Sequence, residues 1–396
     1  MAYTRGEVDF LRDHRAEIAG ATAGLALTRT SLIADTQALR KQFGDHARAV
    51  SELAAARRAS VGKLPSDWLM CGDSAQQATA PAVAEVRAHR IASHLGTGAH
   101  VHDVTCSIGT ELPVLADAGL TVTGSDLDPV RARMARINTG AAVAVADALT
   151  PPLRPGAVDV VVADPARRAG GRRITRPDRL LPPLPDLIGA HEGTPVAVKC
   201  APGLDFSDWE GPVSLVSVDG GVKEACLYSP ELGAGERREA VMISTTGRGG
   251  PRIDRITDRD GGGAGEESIA GPPGRYIIDP DGAVVRAGLV RHYALREGLW
   301  MLDDRIAHLT GDRVPVGTTG FRFIEQVPLK KLKAALRKHG CGSLEILVRG
   351  VDIDPDRLRR DLKQAGERPM AVVVTRIGSA GVALVCGPRT DGVDRS

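Results

Sequence analysis

Residues Val158–Arg173, VDVVVADPARRAGGRR, run from an apolar stretch through an Asp-Pro pair into a cluster of arginines. An apolar run of this length, closed by Asp164-Pro165, reads as a buried parallel strand whose carboxyl end opens into a loop. In open α/β sheets, ligands bind outside such strand ends. Asp164 supplies a fixed acceptor, Pro165 stiffens the exit, and Arg167, Arg168, Arg172 and Arg173 place positive charge beside it.

Outward from this stretch, further short apolar runs occur at HVHDVT, LTVTGSD, AVAVAD and TPVAVKCA, separated by helix-like segments such as ELPVLADAG and PVRARMARIN. Strands alternating with helices predict βαβ units, hence an α/β domain with a doubly wound, mainly parallel Rossmann-like sheet covered on both faces. After Lys199, VSLVSVD, EACLYS and EAVMIST read as late strands joined by hairpins. Residues 1–95 carry apolar positions at helical spacing and predict a helical N-terminal segment, followed by the α/β domain over 96–246. Residues 247–274, rich in Gly and charge and without periodicity, read as a linker or loop. Residues 275–396 end in a β-α-β-α-β-β pattern and predict a small α+β domain of ferredoxin-like character.

Composition narrows the chemistry. At 396 residues, with 42% hydrophobic and 25% charged residues, the chain is an ordinary globular protein of two or three domains. A net charge of +2 means that any preference for polyanions resides in local patches, and 3% aromatic residues argues against a multi-ring platform for single strands. The six cysteines lie far apart with no CxxC spacing, so neither a zinc site nor a disulfide framework is expected, and no metal is assigned. Without a signal-peptide core or a membrane-length apolar run, a cytoplasmic location is expected.

Asp103, Asp126, Asp147 and Asp164 sit at or near four successive strand ends, at intervals of roughly twenty residues, one βαβ step. Asp103-Val-Thr-Cys-Ser-Ile-Gly109-Thr-Glu111 forms a tight turn feeding a helix, whose first backbone N–H groups point into the crevice. Asp126 is placed to accept hydrogen bonds from a ribose diol, and Asp147 to meet an exocyclic amine on adenine. The first turn contains Gly109 but not the G-x-G-x-x-G that a pyrophosphate needs, so a phosphate-free adenosine cofactor, S-adenosylmethionine, fits it better.

In DVTCSIGTE, VTGSDLDP, VAVADAL and VVVADPARR, residues 80–246 resemble class I S-adenosylmethionine-dependent methyltransferases. With VAVKCAPGLDF, VKEACLY and the C-terminal pattern, most of the chain resembles the bacterial type with a C-terminal THUMP-like domain. The resemblance implies S-adenosylmethionine held by Asp103, Cys106, Gly109, Asp126, Leu127, Asp147 and Ala148, with Asp164, Pro165 and Arg167 as catalytic residues. It also implies an RNA substrate, tRNA or rRNA, met by Arg167, Arg168 and the basic helix bearing Lys330, Lys331, Lys333, Arg337 and Lys338. Lys199 lines the same crevice, while Gln76 and Thr79 either cover it or, for Thr79, cap the helix that starts at Pro81. The chain departs from the family pattern at Ser107, where glycine commonly follows the cysteine, and at Ala166 and Arg167, where an aromatic residue commonly stacks a base. These departures keep two alternatives open: a non-catalytic RNA-binding protein retaining the fold, and a methyltransferase acting on protein or a small molecule. No membrane and no obligate protein partner is expected.

Overall fold

The computed structural model describes residues 3–28, 30–154, 156–165, 168–169, 172–173, 176–245, 251–260, 267–363 and 365–392. The chain divides into two compact units, one of residues 1–213 and 224–235, the other of 214–223 and 236–396. In the first, the strands are β1 (His100–Asp103), β2 (Thr121–Asp126), β3 (Ala142–Val145), β4 (Val160–Ala163), the two-residue β5 (Arg168–Ala169) and β6 (Arg172–Arg173), and β7 (Val196–Cys200). The division between units passes through β8 (Val213–Val218) and β9 (Gly221–Tyr228). Strands β7, β4, β1, β2 and β3 lie side by side in that order, every pair parallel, and Ala225–Tyr228 adds to β7 in the antiparallel sense.

The order fixes where a ligand can enter. From β1 the chain winds outward through β2 to β3, then returns to the other side of β1 at β4, so the switch point lies between β1 and β4. All four residues of β4 are buried, as expected of a strand covered on both faces. Helix Pro81–Leu95, opened by proline at its first position, lays Ala88 and Ile91 against Val101, Val160 and Val162. On another side, the N-terminal helices gather Val8, Leu11, Val50, Leu53 and Leu69 into a core shared with Val130 and Met134 of helix Pro129–Thr139, and with Ile108 of the first turn.

The second unit contains β10 (Arg238–Ser244), β11 (Arg252–Thr257), β12 (Tyr276–Ile278), β13 (Trp300–Asp303), β14 (Ile306–Gly311), β15 (Thr319–Pro328), β16 (Cys341–Arg349), β17 (Arg368–Ile377) and β18 (Ala380–Asp391). Strands β12 to β18 form a sheet in the order β13-β14-β12-β15-β18-β17-β16. Helices Leu332–Lys338 and Pro355–Leu362 cover one face through Leu332, Leu336 and Leu362. The predicted β-α-β-α-β-β succession is present from β15 onward, but the ferredoxin-like reading fails on connectivity. Its single hairpin, β17 to β18, closes the module, and β16 pairs parallel with β17.

Part of the stretch 247–274, read as linker or loop, is strand. Residues Arg252–Thr257 form β11, antiparallel to β10. Only Ile256 of β11 is fully buried, while Ile253 is exposed, so the strand leaves no alternation of apolar residues in the sequence.

Ile91→Ala empties a fully buried position over the central strands. The expected loss is about 2–5 kcal/mol of stability. It is read as a lower denaturant midpoint at unchanged slope.

Candidate active site

The first turn runs from the end of β1 into helix Leu112–Asp117. Val104 N donates to Val162 O at 3.0 Å and Cys106 N to Ser125 O at 2.9 Å, so the turn is tied to the strands on both sides of β1. Ser107 has φ +50°, the left-handed region that glycine adopts most cheaply, which explains the glycine common at that place in the family. Its N–H donates to Asp126 Oδ2 at 2.9 Å, while Asp128 N donates to Asp126 Oδ1 at 2.9 Å. Gly109 has φ +88°, and a Cβ there would meet Thr139 Cγ2 at 2.7 Å and Ala135 Cα at 3.3 Å. Asn138 closes the turn from behind, accepting from Leu69 N at 2.8 Å and donating to Leu69 O at 2.9 Å and Ile108 O at 3.1 Å.

The strand-end aspartates have unlike surroundings. Asp103 is buried, accepts from Thr105 N at 3.0 Å, and is pushed up to about 8 by burial and then by the nearby Glu111 charge. Asp126 is buried and raised, chiefly by burial, against the lowering effect of its two backbone donors. Asp147 is exposed and accepts from Leu149 N at 2.9 Å, while the next residue, Ala148, is buried and its carbonyl faces His191 Nε2 at 2.9 Å. Leu127 is 68% exposed, an apolar side chain left in solvent beside Asp126. Cys106 is buried against Leu112 and Ala135, and burial pushes its thiol up, away from any nucleophilic role. A cleft of about 450 Å³ opens beside the start of helix Pro129–Thr139, its lining including Tyr3, Asp73, Asp128, Arg131 and Met134. A larger cleft, of about 690 Å³, gathers Trp209, His191 and Val196, at the amino end of β7, and contains none of the strand-end aspartates.

At the end of β4, Asp164 N donates to Thr105 Oγ1 at 2.6 Å, and Pro165 is buried. Asp164 Oδ2 lies 2.6 Å from Lys199 Nζ, which is also 2.8 Å from Glu111 Oε1 and donates to Thr79 Oγ1. Glu111 accepts from Arg87 Nε and Nη2, both at 2.9 Å, and Arg87 Nη1 reaches Glu224 Oε1 at 2.6 Å. Burial opposes the charge on each of Glu111, Lys199 and Arg87, yet their partners outweigh it: Glu111 is lowered by Arg87 and Lys199, and both cations are raised by their carboxylates. Thr79 therefore joins this lattice; the cap position of helix Pro81–Leu95 is Ala80. Gln76 is exposed, its carbonyl accepting from Lys63.

Ala166 and Arg167 lie outside the described residues. Arg168 and Ala169 pair antiparallel with Arg173 and Arg172. Sequence reasoning missed Arg87 and Glu224. The signal was present, since Arg87 interrupts an apolar helix face and Glu224 an apolar strand, where a charge demands a partner.

An uncharacterised S-adenosylmethionine-dependent methyltransferase of Mycobacterium tuberculosis is 44% identical to this chain over 375 residues, covering 88% of the chain and 99% of its own length, in both strains compared. The chain belongs to the S-adenosylmethionine-dependent methyltransferases. Residues 318–388 match the family described as THUMP domain-like. A protein of Porphyromonas gingivalis W83, described as a candidate methyltransferase, shares the fold with a TM-score of 0.72 at 17% identity, over 98% of this chain and 99% of its own. This methyltransferase is thus an enzyme that uses S-adenosylmethionine. Among the described residues, no cluster of His, Cys, Asp or Glu could hold a metal ion, and no helix is long and apolar enough to cross a membrane.

Two outcomes test the turn. Gly109→Ala drives a methyl group into Thr139 and the backbone of Ala135, and is expected to weaken S-adenosylmethionine binding tenfold or more in a calorimetric titration, on the order of 1.4 kcal/mol. Asp103, held near 8 in the folded state against about 3.9 unfolded, binds its proton more tightly when folded. Its contribution to stability is full below about pH 4 and is lost as pH rises through about 8. Melting curves of Asp103→Asn are therefore expected to gain on the wild type as pH is raised from 5 to 9; parallel curves would contradict the assignment.

Proposed function

We propose that this methyltransferase modifies RNA, with the acceptor held at the end of β4 by Asp164. The observation that carries the reading is the pairing of an acceptor-only carboxylate at the switch point with the THUMP-like match in the same chain. When bound, S-adenosylmethionine supplies a methyl group already activated on a sulfonium. The chain's task is then alignment: Asp164 accepts a hydrogen bond from the acceptor, and buried Pro165 fixes the exit of the strand. Arg167 is assigned to a substrate phosphate, which a guanidinium grips bidentately.

The residues fit the cofactor on physical grounds. Asp103 is a buried carboxyl short of counter-charge, which a cationic ligand would relieve. Asp126, held by two backbone donors, retains lone pairs for a ribose diol. Exposed Leu127 offers apolar surface to an adenine, with Asp147 and Ala148 at its rim and Cys106 and Gly109 shaping the turn beneath. Residues 96–246 are assigned to methyl transfer, 275–396 to RNA recognition and 1–95 to support of the first turn.

Recognition of phosphates is assigned to the basic residues around helix Leu332–Lys338, Lys330, Lys331, Lys333, Arg337 and Lys338. Lys333 Nζ donates to Asp361 O at 3.0 Å, which brings the helix carrying Arg357, Arg359 and Arg360 alongside.

Labelled methyl from S-adenosylmethionine is expected to enter total RNA rather than total protein, and to fall about a hundredfold or more with Asp164→Ala. Label confined to protein, or unaffected by Asp164→Ala, would sink the reading. Binding to total tRNA is expected to weaken steeply with salt, and replacing Lys330, Lys331 and Lys333 by Gln to flatten the slope by about two to three.

A further inference from the structure

Lys199 has only 4% of its side chain exposed, and so has Glu111. Burying these charges costs several kcal/mol per ion, and an apolar replacement of similar volume is often as stable, so fold stability does not account for the lattice. The lattice also holds Asp164, whose side chain is 29% exposed and which follows β4 at the switch point. An ammonium has three donors and no lone pair. Here three acceptors surround it: Asp164, Glu111 and Thr79.

We propose that Lys199 is a positioning residue for methyl transfer, which holds the Asp164 carboxylate charged and aimed so that it accepts the N–H of a neutral nitrogen acceptor. The inference rests on the reading of Asp164 as the group that meets the acceptor, and it names the acceptor's class: an amine nitrogen, not a hydroxyl. A hydroxyl must surrender its proton as it attacks, which calls for a base. A carboxylate 2.6 Å from an ammonium is a weakened base, and Lys199, with its pKa raised by Asp164 and Glu111 over the opposing effect of burial, keeps its proton. A neutral nitrogen needs only to be turned so that its lone pair faces the methyl carbon, and a fixed acceptor for its N–H does that. The nitrogen lone pair forms the N–C bond as the S–C bond breaks and its electron pair remains on sulfur. The nitrogen then bears the positive charge, and its N–H proton passes to Asp164 and on to bulk water.

The titratable groups facing this pair are Glu111, Arg87 and Glu224, charged within the lattice, Asp103 from β1, which burial pushes towards its neutral form, and Lys63, which is lowered by burial and by Lys199. The test uses the full chain labelled with ¹³C-aspartate and titrated by NMR, the Asp164 carboxyl being identified by its loss in Asp164→Asn. Lys199→Met is expected to raise the midpoint of the Asp164 titration by about one to three pH units over the wild type. Lys199→Gln keeps donors for Glu111 and Thr79 without the charge, and is expected to move it in the same direction should the Met variant fail to fold. An unchanged midpoint in the folded variant overturns the proposal.

A second measurement separates acceptor class from substrate class. Total RNA, total protein and a panel of small primary amines are each offered with labelled S-adenosylmethionine, and the products identified by mass spectrometry. N-methylated products in any of the three support the nitrogen assignment, and their appearance outside RNA alone removes the RNA reading without touching it. A ribose-O-methyl or C-methyl nucleoside overturns the nitrogen assignment and leaves the RNA reading in place.

Discussion

A buried ammonium cannot remain without counter-charge, and the strand ends around Lys199 are arranged to meet that demand. Lys199 is the penultimate residue of β7, Glu111 opens the helix after the first turn, Thr79 lies before helix Pro81–Leu95 and Asp164 follows β4. Four segments distant in sequence are thereby brought to one point. Removing one partner of a buried pair strands the other, at about 3–5 kcal/mol, so the four positions are mutually enforcing. The outer link, Arg87 to Glu224, extends the constraint to β9.

Much of the fold was legible in the sequence because it obeys rules that act locally. The uninterrupted apolar run at Val160–Ala163 is buried on both faces, as its composition requires. Strand-end aspartates recur because each βαβ step returns the chain to the same edge of the sheet, and that regularity is what the spacing of Asp103, Asp126, Asp147 and Asp164 records. Contacts across that edge were not legible. Thr79 lies 120 residues from Lys199, and no spacing rule predicts that its hydroxyl meets an ammonium and not a helix N-terminus. Strand β11 was hidden for a different reason, since an edge strand with one buried residue carries almost no hydrophobic signal.

The four aspartates also show how one residue type at equivalent positions acquires different chemistry from its surroundings. Asp103 and Asp126 are enclosed, and both are pushed towards the neutral form, whereas Asp147 sits in water on the margin of the sheet. Asp164 differs again because a cation stands against it. A sequence motif records the carboxylate, but its protonation is decided by neighbours that the motif does not contain.

Asn138 has a wider consequence. Its single amide holds the backbone of Leu69, in the helical N-terminal segment, against the carbonyl of Ile108 in the first turn, and Ile108 is itself sealed in the core those helices build. The N-terminal helices and the turn are therefore one mechanical part, sharing a single wall. Shortening the protein to its recognisable sheet would leave the motif intact on paper and its geometry unsupported, so the smallest working version of this catalytic unit is larger than its signature residues imply.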